Sequence, residues 1–404
     1  MATKTFEYTV IVAGSTRTGK VDGPDTQSVA RHLREGGMTP IDIHEVSNTG
    51  LNREINLGGN TVRPKDVAVC IRQLATMVSA GLSLLQSLSA ISEQASSPAL
   101  QKVLREVAGD VETGSTLGDA LSKHSKVFSP VVLAMIRSGE SGGYLDAVLT
   151  SVADQLESEL KLRRAVKSAM VYPTVVLIFA VVVVIAMLLF IVPVFEGIFA
   201  DLGKELPLPT QILVSLSQFL KYAGGPLLVL VLLGLWWWRN HHNDLAVREK
   251  LDPLKLKAPI MGGLMQKVAL ARLSRSIATM SRVGVPIVQT LGIVGETAGN
   301  VVITQAVDRV KEKVVTGSAL GKAISEEPIF GPMISRMVAV GEDAGALDTM
   351  LEKVAEFYDD EVEAATASIT SIIEPVLIVM VGSIVGAILI SLYLPIFQLS
   401  TSVE

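Results

Sequence analysis

The stretch Gly139-Glu140-Ser141-Gly142-Gly143-Tyr144-Leu145-Asp146 returns 202 residues later as Gly341-Glu342-Asp343-Ala344-Gly345-Ala346-Leu347-Asp348. In both places a charged helical pattern follows, and then an apolar run long enough to cross a bilayer. The chain therefore reads as two copies of one helical unit, each leading into a membrane.

Working outward from this stretch, the copies align at a constant offset. It is 203 for Met77 with Met280, Gly81 with Gly284, Leu88 with Leu291, Gly114 with Gly317 and Gly118 with Gly321. After a one-residue deletion it becomes 202, for Phe128 with Phe330, Pro130 with Pro332, Met135 with Met337, Pro173 with Pro375 and Pro193 with Pro395. The duplication thus includes the apolar run. Within each copy the last two prolines are 20 residues apart, about 30 Å of helix and the thickness of a bilayer core, so they are expected to bracket the span.

Composition agrees. Of 404 residues, 49% are hydrophobic and only 19% charged, too apolar for an ordinary soluble chain. The excess lies in three uncharged runs: between Lys167 and Glu196, between Lys221 and Arg239, and after Glu374. Three spans follow. Lys161, Arg163, Arg164 and Lys167 precede the first, and Arg239, Arg248, Lys250, Lys255 and Lys257 follow the second, while only Lys204 and Lys221 lie between. Basic flanks face the cytoplasm, and Trp236, Trp237 and Trp238 sit where an inner-face aromatic belt belongs. A net charge of -5 with dispersed basic residues excludes nucleic acid as a partner. Cys70 is the only cysteine, which leaves no intramolecular disulfide or cysteine zinc cluster and reads as a core residue. The start, MATKTFEYTV, alternates and lacks the apolar core of a signal peptide, so it is expected in the cytoplasm.

The fold class is mainly α: a polytopic membrane protein with duplicated cytoplasmic six-helix bundles, three transmembrane helices and a small N-terminal α+β module. That module, 1–46, has a strand over 5–12, turns over 14–24, a helix over 25–35 and a second strand over 40–46. Gly14 to Lys20 matches a phosphate-binding loop up to its lysine, but Val21 replaces the magnesium-binding hydroxyl and Asp22-Gly23-Pro24 replaces the helix start, so a hairpin turn is expected. Residues 47–62 read as a linker. Breakers divide the first bundle, 63–170, into six helical segments, of which the last runs on towards the membrane. Then come the first span at 171–195, an external loop at 196–221, the second span at 222–238, the second bundle at 239–372, the third span at 373–397 and an external tail at 398–404.

Little chemistry stands out. Gly139 to Gly143 fits a serine-nucleophile elbow, yet its context is helical and Asp343 replaces Ser141 in the second copy. The retained glycines and acids suit a tight interhelical turn with Asp146 or Asp348 in the first turn of the following helix. Partner contact through Glu140, Asp146, Glu342 or Asp348 stays open. The adjacent His241 and His242 point apart on a helix and read as solvated rather than as metal ligands. The spans lack the buried ionisable groups of an ion path, since Glu374 sits at the membrane boundary. Gly382 and Gly386 form a small-residue face for close helix packing, within the chain or between chains.

Together these motifs resemble the GspF/PilC family of inner-membrane platform proteins of type II secretion and type IV pilus machines. The resemblance rests on the N-terminal module, Gly284-Val285-Pro286, Gly317-Ser318-Ala319-Leu320, Phe330 and Pro332 before Gly341-Glu342 and Gly345, Glu374-Pro375, Gly382, Gly386 and Leu394-Pro395-Ile396-Phe397. It covers nearly the whole chain. Tyr172 departs from it, standing before Pro173 where the second copy has Glu374. The resemblance implies contact with a cytoplasmic hexameric assembly ATPase, with pilin or pseudopilin subunits and with other inner-membrane assembly proteins. It also implies a homo-oligomer in the bilayer, with no cofactor, metal or catalysis of its own. The alternative function is an oligomeric membrane channel or carrier.

Overall fold

A computed structural model describes residues 4–12, 15–23, 26, 28–30, 39–45, 61–201, 206–241, 244–259 and 261–400. The chain forms two units, Met1–Thr61 and Val62–Glu404.

In the first unit, strands β1 (Lys4–Val12), β2 (Ser15–Gly23) and β3 (Thr39–Glu45) make an antiparallel sheet in the order β2-β1-β3. The turns expected over 14–24 are therefore mostly strand. The β-branched Thr16 and Thr18 favour that state, and Ser15 to Lys20 pair with Val12 to Glu7. This ladder occupies backbone amides that a phosphate loop would turn towards a ligand. Of the helix expected at 25–35, Thr26 and Ser28 to Ala30 are helical. Its other residues, Val46 of the second expected strand and 47–60 of the linker lie outside the described residues.

The second unit opens with α1 (Pro64–Ser79), α2 (Leu84–Gln94), α3 (Pro98–Glu112), α4 (Leu117–Ser122) and α5 (Pro130–Gly142). Local chemistry sets these limits. Pro64, Pro98 and Pro130 occupy first helical positions, where a missing N–H costs nothing. Ser97 and Thr116 accept hydrogen bonds from Leu100 N and Asp119 N as N-caps. The sixth helix, α6 (Leu145–Ala186), continues through a π-helical turn, Met187–Ile191, into α7 (Val192–Asp201). After α8 (Leu208–His241) and α9 (Leu245–Lys257), the second copy repeats the bundle. It comprises α10 (Met261–Arg282), α11 (Ile287–Thr297), α12 (Val301–Val315), α13 (Leu320–Ser325), α14 (Gly331–Ala344) and α15 (Leu347–Ser400).

The two bundles share one apolar core, in which Ile71, Leu104, Met135 and Val148 join Leu273, Leu291, Ile334 and Val354. Phe128 and its repeat Phe330 are 1% and 2% exposed. A polar bridge crosses between the copies: Gln155 Nε2 donates to Ser276 Oγ at 3.1 Å, and Thr279 Oγ1 donates to Gln155 Oε1 at 3.2 Å. Each bundle also clasps its long helix with a two-point ion pair. Arg72 on α1 reaches Glu157 on α6 at 2.7 and 2.8 Å, and the repeat pair, Arg275 on α10 and Asp359 on α15, meets at 2.5 and 3.4 Å. Hydrogen bonds from Arg72 to Glu157 and then Asp154 raise the pKa of its guanidinium further above its ordinary value.

Among the described residues three helices, Leu145–Phe199, Leu208–Trp238 and Leu347–Leu394, are long and apolar enough to cross a membrane. Their prolines do not end them. Pro173, Pro375 and Pro395 lie inside helices, and Pro193 follows the π turn. A proline leaves a carbonyl without its helical donor, a large cost in an apolar setting. Val192 N bonds Met187 O in the π register, so the next acceptor is Leu188 O, which Pro193 cannot serve. Ser217 on α8 donates to it at 2.5 Å. Four residues before Pro395, Ser391 O accepts from Thr210 Oγ1, also on α8. Thr210, Val214 and Ser217 lie on one buried face. Residues 208–221, expected to belong to a loop, are therefore helical, with hydroxyls spaced to serve both repeated prolines.

Replacing Ser217 by Ala is expected to cost about 1 kcal/mol, read as a lower thermal unfolding temperature of the purified chain in detergent. In a Pro193→Ala background, which restores the backbone donor, the same replacement is expected to be nearly neutral. An equal cost in both backgrounds would show that the hydroxyl does not serve the released carbonyl.

Candidate functional site

The repeated stretch is a helix junction built twice. Gly139 to Gly142 complete the last turn of α5, so the turn expected across Gly139 to Gly143 is confined to Gly143 and Tyr144. Gly143 adopts φ 76° and Gly345 φ 65°, a left-handed conformation that suits glycine. Tyr144 N then donates to Gly139 O at 3.0 Å, and Ala346 N to Gly341 O at 2.9 Å, closing both helix ends alike. Gly139 lets α6 approach, since a Cβ there would lie 2.6 Å from Val148 Cγ2.

The glutamate has a partner that its sequence neighbourhood does not disclose. Glu140 accepts from Leu117 N at 2.6 Å and Gly118 N at 3.0 Å. Glu342 does the same for Leu320 N at 2.8 Å and Gly321 N at 2.9 Å. Each carboxylate caps the first turn of the short helix α4 or α13, satisfying two free amides and meeting the positive end of the helix dipole. The approach needs glycine on the capped helix. A Cβ on Gly118 would lie 2.4 Å from Arg137 Cγ, and one on Gly321 2.6 Å from Ala339 Cα.

Asp146 and Asp348 both stand in the first turn of the following helix. Asp348 lies 3.8 Å from Arg282 Nε. The exposed Asp146 carboxylate has no hydrogen bond or ion pair among the described residues. The junction is far from the apolar run: Val171 is 25 residues along α6 from Asp146, about 38 Å.

Where the copies meet, Tyr144 OH and Ser138 Oγ both donate to Val283 O, at 3.0 and 2.8 Å. Ala346 stands at the position of Tyr144 in the second copy. Beside these bonds lies a cleft of about 400 Å³ between Pro130, Leu133 and Arg137 on one side and Val285, Pro286 and Gln289 on the other. Ser141 opens onto it from a helix end, whereas a nucleophile elbow needs a strand before its turn. Cys70 is buried, and burial pushes its thiol up to about 12, which keeps it protonated at neutral pH. His241 stacks on Trp237 with ring centroids 5.0 Å apart; His242 lies outside the described residues. A Cβ on Gly382 or Gly386 would meet no atom within 4 Å, so among the described residues no second helix lies on that face.

Glu140→Ala strands two amides and is expected to cost about 1–2 kcal/mol. Glu140→Gln, which keeps one acceptor, should cost less, and Glu140→Lys, which sets a cation at a helix start, should cost more. Asp146→Ala should change stability by less than about 0.5 kcal/mol. Thermal unfolding of the four variants checks this ranking, and a wild-type unfolding temperature for Glu140→Ala would refute the capping role.

Comparison with known proteins follows the same duplication. The family model for the type II secretion system (T2SS), protein F, matches residues 70–193 and again 273–395, so its two matches start 203 residues apart and end 202 apart. The chain is 42% identical over 382 residues to type IV pilus assembly protein PilC of Thermus thermophilus, covering 94% of each chain. It is 39% identical over 397 residues to type IV pilus assembly protein PilC of Myxococcus xanthus, covering 97% of this chain and 94% of that one. With type II secretion system protein F of Vibrio cholerae the identity is 31% over 398 residues, 98% of each. A duplicated helical unit with repeated caps, three membrane-crossing helices and two family matches in the register of the repeat lead to one conclusion: the chain belongs to the type II secretion system protein F family.

Proposed function

We propose that this chain is the inner-membrane platform of a pilus-assembly machine, coupling a cytoplasmic hexameric ATPase to the insertion of pilin subunits. The pilus reading is preferred over secretion because the two PilC proteins are 39% and 42% identical to it and the Vibrio protein F 31%. In this reading residues 1–46 and the bundles at 63–170 and 239–372 are cytoplasmic. The chain crosses at 171–195, 222–238 and 373–397, leaving 196–221 and 398–404 outside. The basic flanks of the first two spans support that orientation.

One observation carries the proposal: α6 and α15 run from the shared core into the apolar stretches without a break. Each is clasped to its own bundle by an ion pair, so a force applied to the bundle moves a continuous rod. Of the four acids repeated between the junctions, Asp146 marks the ATPase-facing end, because Glu140, Glu342 and Asp348 are engaged within the chain. The bare Gly382 and Gly386 face receives a second copy of the chain or a pilin helix. The chain's own work is mechanical, without a catalytic step.

The full chain in lipid nanodiscs, mixed with the purified ATPase of the same machine, provides the test. Binding and a changed turnover are expected, both weakened by Asp146→Ala at a nearly unchanged unfolding temperature. Absence of both effects would refute the coupling, and solute flux through liposomes holding this chain alone would favour the carrier instead.

A further inference from the structure

A cavity of about 410 Å³ lies between α6, α9, α10 and the α11–α12 turn. Four cations line it: Arg163 and Lys167 from α6, Lys255 from α9 and Arg272 from α10. The one acid among its lining residues, Asp252, is 2% exposed and already engaged. It accepts from Lys255 Nζ at 2.8 Å and Val301 N at 3.1 Å, with Arg248 Nε at 3.6 Å. Burial would raise the Asp252 pKa, but the Lys255 ammonium, the Val301 amide and Arg248 hold it below its ordinary value, so it stays charged and keeps Lys255 occupied.

Three positive charges remain. Arg163, Lys167 and Arg272 form no ion pair among the described residues, and Arg272 Nε is buried with no hydrogen-bond partner. A buried guanidinium N–H without an acceptor costs free energy that an external anion would relieve. Apart from Asn300, the rest of the wall is apolar, including Val166, Met170 and Met265. Lys167 lies four residues, about 6 Å, before Val171, where the first span is expected to begin. The mouth therefore lies at the depth of lipid headgroups, with basic groups beside an apolar wall.

We infer that this cavity binds the phosphate of an anionic phospholipid, with Arg272, Arg163 and Lys167 around the phosphate and the glycerol and upper acyl chain along Met170 and Met265. Three uncompensated cations favour an anionic over a zwitterionic lipid. The apolar wall and membrane-level mouth favour a lipid over a free anion. The site would fasten the start of the first span to one leaflet. It requires only that the chain sits in a bilayer and is independent of ATPase coupling.

The full chain, delipidated in detergent, is titrated with phosphatidylglycerol, phosphatidylcholine or inorganic phosphate while its unfolding temperature and lipid retention in native mass spectrometry are read. Phosphatidylglycerol should raise the unfolding temperature and be retained, and the other two should not. Arg272→Gln and, separately, the exposed Arg163→Gln should each weaken retention about five-fold, whereas the remote Lys102→Gln should leave it unchanged. Equal retention of phosphatidylcholine, equal stabilisation by inorganic phosphate, or wild-type retention by both arginine variants would overturn the assignment. Should Arg272→Gln fail to fold, Arg163→Gln decides alone.

Discussion

Each bundle depends on one carboxylate holding two backbone amides across a glycine contact. Glu140 binds Leu117 N and Gly118 N, and Glu342 binds Leu320 N and Gly321 N. A six-residue helix cannot sustain itself alone, because nucleation consumes most of what its few hydrogen bonds return. Fastening its first turn to the end of the penultimate helix, α5 or α14, fixes both. The left-handed glycine three residues after the glutamate then sets the direction in which the membrane-bound helix departs. Junction, short helix and long helix are therefore one mechanical piece.

The same economy recurs at the other end of the rods. Leu188, Val192, Val214, Ile388 and Leu392 bring the two long helices and α8 into one apolar cluster. Within it Thr210 and Ser217 supply the donors that Pro395 and Pro193 lack. Between Leu227 and Trp238, by contrast, the leucine, valine and tryptophan side chains of α8 are exposed. That surface suits lipid or neighbouring chains. The second span is thus joined to the other two near one membrane face and stands clear of them towards the other.

Local features were legible in the sequence because their causes are local. Prolines at helix starts, glycines at helix ends and the offset that shortens from 203 to 202 gave the helical segments of both bundles. Partners distant in the chain were not. Glu140 caps amides 22 and 23 residues earlier, and the Arg72–Glu157 and Arg275–Asp359 clasps span 85 and 84 residues. One signal was present: Glu140 and Gly118 recur together as Glu342 and Gly321, as a pair that must touch would. Proline and glycine each mislead once. Proline reads as the end of a span, yet the helices pass through, and at Pro193 and Pro395 hydroxyls on a third helix serve the carbonyls left free. Gly19 and Gly23 make the stretch from Ser15 to Gly23 look like turns, whereas its threonines and its pairing with β1 make it a strand.

Coupling of bundle to membrane requires α6 to act as one rigid rod. Spin labels at Thr150 and Val182, both exposed and 32 residues apart on that helix, report this directly by pulsed electron resonance. The buried Cys70 should stay unlabelled. With the chain in nanodiscs, a single narrow distance near 48 Å is expected, at 1.5 Å per residue, whether or not the ATPase is present. A broad or clearly shorter distribution would mean that the helix breaks at Pro173, and a broken rod would not transmit the bundle's movement into the membrane.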